Sequence, residues 1–187
     1  MKYIIKKLNS VFALISTLLI IVHLGMVLAV LYWHYYSPIV NTMAKIAATF
    51  IIIHAIFSII CLVFINKRLK IEYISNKLQM VVQRSTAVIM VLMLPMHVIN
   101  FQNLFDGNYN SQVLTIFMNT YEICFYFIVL LHIASSFTNL LIRFGIITSN
   151  KTIVIVDTIV KLTCLAFFIA FACGIVPLTA FINGGMH

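Results

Sequence analysis

Residues 11–33 read VFALISTLLIIVHLGMVLAVLYW. A run of 23 residues broken only by Ser16, Thr17, His23 and Gly25, with no formal charge, is long enough to cross the roughly 30 Å hydrocarbon core of a bilayer as a helix. Four further stretches of the same kind follow, from about Ala44 to Ile65, Thr86 to Phe105, Val113 to Ile142 and Ile153 to Ile182. In hydrocarbon only a helix satisfies its own backbone groups one segment at a time. The expectation is therefore an all-α polytopic membrane protein whose five transmembrane helices form one bundle. The last two stretches exceed the span length and predict tilted or projecting helices. Lys2, Lys6 and Lys7 ahead of the first stretch imitate a signal-peptide n-region. The apolar run is too long for an h-region and carries no cleavage site, so it counts as a helix.

Composition agrees with that class. Of 187 residues, 63% are hydrophobic and 9% charged, and the mean hydropathy is +1.12. No soluble domain of this size hides so much apolar surface. No linker, repeat or low-complexity tract divides the chain, so a single membrane domain, residues 1–187, is expected.

The net charge of +8 is mostly a topological signal. Lys2, Lys6, Lys7, Lys67, Arg68, Lys70, Lys77, Arg84, Arg143 and Lys151 fall on one side of the five-span arrangement. By the positive-inside rule the N-terminus is cytoplasmic and the C-terminus outside. The same residues attract anionic lipid head groups. Short basic loops flanking spans are not a nucleic-acid surface, and no nucleic-acid partner is expected. Cys61, Cys124, Cys164 and Cys173 lie inside spans without a C-x-x-C spacing, which makes them small packing residues.

Four of the spans each carry a histidine deep inside: His23, His54, His97 and His132. An ionisable residue at that depth is a functional candidate. Neutral imidazole is a haem-iron ligand, and helix bundles build cofactor sites from facing helices, so four such residues on four successive helices read as two axial pairs. At 1.5 Å per residue, His23 and His97 lie roughly 20–24 Å from the basic anchors Lys7 and Arg84, and His54 and His132 roughly 17–20 Å from Lys67 and Arg143. The offset is small, and it favours pairing His23 with His97 and His54 with His132.

These residues carry a resemblance. Lys6-Lys7-Leu8-Asn9-Ser10 leads into the helix with His23. His54-Ala55-Ile56-Phe57-Ser58, Gln83-Arg84-Ser85-Thr86-Ala87 with His97 beyond it, and His132-Ile133-Ala134-Ser135-Ser136 with Leu141-Ile142-Arg143-Phe144-Gly145-Ile146 follow in order. Over nearly its whole length the chain resembles the single-chain, five-helix, di-haem cytochrome b membrane anchor of bacterial succinate dehydrogenase and fumarate reductase. The resemblance implies two b-type haems and menaquinone as exchangeable substrate. It also implies flavoprotein and iron-sulfur partner subunits on the cytoplasmic face of a bacterial plasma membrane, with no dicarboxylate chemistry by this chain alone. It assigns Asn9, Ser10 and Arg143 to the propionate region. Ser58, Ala87 and Ser136 stand where the family favours Gly, and the first connection contains no carboxylate.

Other polar residues have plainer uses. Arg84 and Arg143 can fork onto propionates or serve as positive-inside anchors. Glu122, in the outer half of the fourth span, is a candidate for passing protons to a quinone, or a bundle hydrogen bond. Asp157 and Lys161, spaced i, i+4, neutralise one another on a helix face. His34 joins Trp33, Tyr35 and Tyr36 in an interfacial aromatic belt, and His187 is terminal. Pro95 and Pro177 predict kinks, Pro95 two residues before His97. The alternative function is the substrate-binding membrane component of a vitamin-type transporter, which has no use for four stacked histidines.

Overall fold

The computed structural model describes residues 2–33, 37–61, 74–105 and 112–184. They form five helices: α1 (Lys2–Trp33), α2 (Pro38–Ile60), α3 (Ile74–Phe105), α4 (Gln112–Arg143) and α5 (Asn150–Gly184). All five are long and apolar enough to cross a membrane. The protein is an all-α polytopic bundle.

The helices begin earlier than the apolar stretches do. α1 runs back to Lys2, nine residues ahead of the apolar boundary at Val11, because basic side chains end a hydrophobic window without ending a helix. α2 starts at Pro38 rather than near Ala44. Ser37 is extended (φ −122°, ψ 140°) and its side chain accepts from the Ile39 amide at 3.4 Å, while Pro38 occupies the first helical position, where its missing N–H costs nothing. The expected end of the second span, at Ile65, lies outside the described residues, as do His34 and His187.

α4 ends sharply. Gly145 adopts φ +71°, its N–H donates to the Ile142 carbonyl at 2.9 Å, and the Ile146 N–H donates to the Leu141 carbonyl at 3.0 Å. This is a Schellman closure, which needs a residue without Cβ at the left-handed position. Asn150 then opens α5 after a short connection. α3 continues through Pro95, which removes one backbone donor two residues before His97.

α4 is the most buried helix and packs against α3, α5 and α1; α1 packs in turn against α2 and α5. Their shared core includes Leu24, Val27, Leu31, Phe125, Tyr126 and Phe171, with the Tyr126 and Phe171 rings stacked at 4.3 Å. α5 approaches α1 closely at Gly174, where a Cβ would meet the Leu31 Cβ at 3.1 Å, and the Tyr32 hydroxyl donates to the Ala170 carbonyl at 2.9 Å nearby. Leu92, Ile159 and Leu162 face outward, as lipid-contacting residues do.

Candidate functional site

The four intramembrane histidines fall into two groups. His23 on α1 lies within electrostatic reach of His97 on α3, and His54 on α2 within reach of His132 on α4. Among the described residues neither α1 with α3 nor α2 with α4 is a closely packed helix pair. Each set of imidazoles therefore comes from helices that do not close directly on one another.

In each pair one ring is held firmly. His97, 8% exposed, puts Nδ1 2.6 Å from a Glu122 carboxylate oxygen, and Asn100 donates to the other oxygen at 2.7 Å. Asn100 also donates to the Met118 carbonyl at 3.3 Å, so α3 and α4 are tied at this level. Phe125 stacks on the His97 ring at 4.3 Å, with Phe101 tilted against it and Tyr126 edge-on. In the second pair, His132 Nδ1 lies 3.1 Å from the Gln83 carbonyl and 3.1 Å from the Thr86 hydroxyl, which itself donates to the Val82 carbonyl at 2.7 Å. A carbonyl only accepts and the Thr86 proton is in use, so Nδ1 of His132 carries the hydrogen. With Glu122 as the carboxylate, it likewise accepts the Nδ1 hydrogen of His97. Both rings are left with Nε2 as the nitrogen that can bind a metal.

The partner rings are looser. His23 Nδ1 and His54 Nδ1 are buried with no hydrogen-bond partner among the described residues, as are the hydroxyls of Ser16 and Tyr126. An unpartnered buried polar group costs about 1–3 kcal/mol. His54 Nε2 makes a long 3.5 Å approach to Ser58 Oγ, and Ser58 donates to the Asn9 side-chain carbonyl at 3.0 Å.

Comparison of the chain with family models, curated proteins and solved structures gives no match.

The sequence candidates distribute as follows. Asn9 and Arg143 both reach the second pair: the Asn9 carbonyl lies beside the His54 ring and Arg143 is within its electrostatic reach. The Ser10 hydroxyl is spent on the Lys6 carbonyl of its own helix at 3.2 Å, and Arg84 is exposed on α3. Glu122 stands at the first pair. Gln83 and Thr86 stand in a motif that the sequence marks without giving either a role, and neither Asn100 nor the aromatic cage of His97 is among the sequence candidates. Asn100 offered a signal, since it is a polar residue one turn after His97 in an apolar span. Gln83 and Thr86 act across to a residue more than forty positions away, which no local pattern announces.

Among the described residues no group of three or more His, Cys, Asp or Glu side chains gathers as a metal set. Axial ligation of haem needs two imidazoles per iron, not a cluster. Paired nitrogens on separated helices, each pair with one ring fixed through Nδ1, fit that donor set. A cavity of about 840 Å³ opens elsewhere, between α3, α4 and α5, beside Gln79, Thr138, Asp157 and Lys161; none of the four histidines lines it.

Proposed function

We propose that this protein is a di-haem cytochrome b membrane anchor of a succinate:quinone or quinol:fumarate oxidoreductase. His23 and His97 would hold one haem, and His54 and His132 the other. The observation that carries the reading is four intramembrane imidazoles, His97 buried and the other three half-buried, with His23 in electrostatic reach of His97 and His54 of His132, on helices that do not pack closely. When bound, the haems supply one-electron chemistry at two levels in the membrane. The chain's own work is to hold and orient. Glu122 fixes the His97 ring, Gln83 and Thr86 fix His132, and the aromatic residues around His97 exclude water. Arg143 supplies positive charge beside the second pair, where an acidic haem edge would be balanced.

Flavoprotein and iron-sulfur subunits would dock on the cytoplasmic face of a bacterial plasma membrane, with the N-terminus on that side, and menaquinone would exchange electrons with the chain. The charge distribution and the resemblance support this arrangement. Pyridine haemochrome analysis of the purified chain is expected to give about two haems per protein, one per imidazole pair. His23→Ala and His97→Ala are expected to remove one spectral component, and His54→Ala and His132→Ala the other. A stoichiometry near zero removes the cytochrome reading, and loss of one component by both His23→Ala and His54→Ala removes the pairing.

A further inference from the structure

The two imidazole pairs differ in what grips the fixed ring. His132 faces a backbone carbonyl and a hydroxyl, both neutral. His97 faces a carboxylate at 2.6 Å, the shortest hydrogen bond made by any of the four intramembrane histidines. Glu122 is itself 5% exposed and immobilised, since Asn100 donates to its second oxygen. Both carboxylate oxygens are thus engaged within the bundle, on an imidazole and an amide.

We propose that Glu122 is a positioning residue for His97, fixing its tautomer and ring plane and making it the more electron-donating ligand, so that one of the two haems is held at a lower potential. The proposal rests on the two-haem reading. A carboxylate that accepts the outer hydrogen of a ligating imidazole raises the basicity of the inner nitrogen, and a more basic nitrogen favours the ferric over the ferrous state. Low polarity around the bond strengthens the effect, and here Phe101, Phe125 and Tyr126 surround the ring. A neutral acceptor, as at His132, donates less.

The test is redox titration of the visible spectrum of the purified haem-loaded protein, with electron paramagnetic resonance of its ferric form. The component belonging to His97 is first identified by its loss in His97→Ala. Glu122→Gln keeps the volume and removes the carboxylate. It is expected to weaken the ferric preference of that component by about tenfold, the low end for an outer hydrogen bond, a shift of about +59 mV for a one-electron couple. The g-values of the same component should move, and the other component should stay. Glu122→Asp restores a carboxylate and should bring the potential and g-values back toward wild type; an Asp variant shifted as far as Glu122→Gln overturns the proposal. If Glu122→Gln fails to retain haem, Glu122→Ala, which also lacks the carboxylate, is titrated in its place, and an unmoved His97 component there overturns the proposal. Two retained haems with neither potential moved in Glu122→Gln, or both moved equally, overturn it as well. A wild-type protein without haem overturns the two-haem reading and this inference with it, which separates the two failures.

Discussion

The Ser58 hydroxyl donates to the side-chain carbonyl of Asn9 at 3.0 Å, joining α2 to α1 beside His54. Gly would give closer backbone approach here, but Ser gives a cross-helix bond. Ser58→Ala keeps the helix and removes that bond, so it is expected to cost about 0.5–1.5 kcal/mol. Ser58→Gly adds the helix penalty of glycine, about 1 kcal/mol more. Thermal unfolding in detergent should rank wild type, Ser58→Ala and Ser58→Gly in that order; a Gly variant as stable as wild type would show that the Asn9 contact contributes nothing.

Thr86 and the Gln83 carbonyl share the Nδ1 hydrogen of His132. Thr86→Val removes one acceptor and leaves the other. On the proposed two-haem reading, the expected result is a loss of about tenfold in retention of the haem that His54 and His132 would hold, with the other unaffected. Haem loss on dilution, followed at the two spectral components separately, measures it. Equal loss from both components would mean that Thr86 acts on the bundle rather than on His132.

How much of this was legible in sequence depends on range. Five apolar runs announced five helices, since a span must satisfy its backbone within itself. The helices themselves start ahead of the apolar runs, because Lys6 and Lys7 interrupt hydrophobicity but not hydrogen bonding, and because Ser37 and Pro38 open α2 before the apolar boundary near Ala44. The histidines stood out because each is alone in hydrocarbon. What the sequence did not reveal is contact across helices: Glu122 against His97, and Gln83 and Thr86 against His132. Those depend on rotation and register between helices, which a chain with weak amphipathicity in every span does not encode locally.

Gly174 and Gly25 make a matched pair. A Cβ at Gly174 would meet Leu31 at 3.1 Å, whereas at Gly25 nothing lies within 4 Å. Gly174→Val should force α5 away from α1 and cost about 1–3 kcal/mol. Gly25→Ala should be neutral or gain up to about 1 kcal/mol through helix propensity. Melting temperatures of the two variants, purified alike, are expected to shift in opposite senses or with Gly25→Ala unmoved.

Asp157 and Lys161 form an ion pair one turn apart in α5, and the Thr138 hydroxyl adds a hydrogen bond to Asp157 from α4 at 3.2 Å. Inside a span, removing one partner leaves the other charge uncompensated in hydrocarbon, at about 2.5–3.5 kcal/mol on insertion scales. Asp157→Leu and Lys161→Leu should each reduce the membrane-inserted yield, and the double variant should recover it. A double variant no better than the worse single one would show that the two charges act separately.

The basic residues define the face on which a soluble partner would dock. Arg143 ends α4 and is within electrostatic reach of His54, so the His54–His132 pair is the one nearer that end of the bundle. Lys67, Arg68 and Lys70 belong to the same side by sequence and lie outside the described residues, as do Asp106 and Asn108 of the opposite side. A partner that exchanges electrons must approach the nearer pair, and the connection after α1 is too short to bury a standard interface of about 800 Å² per partner. If the protein is the proposed anchor, reversing charge at Lys67, Arg68 and Lys70 is expected to weaken assembly with the proposed flavoprotein and iron-sulfur subunits, while changes at Asp106 and Asn108 leave it intact. Co-purification of those subunits with each variant decides the matter. If the Asp106 and Asn108 variants lose them and the basic variants keep them, the bundle is inserted the other way round or the docking face is wrong, and the anchor role falls with it.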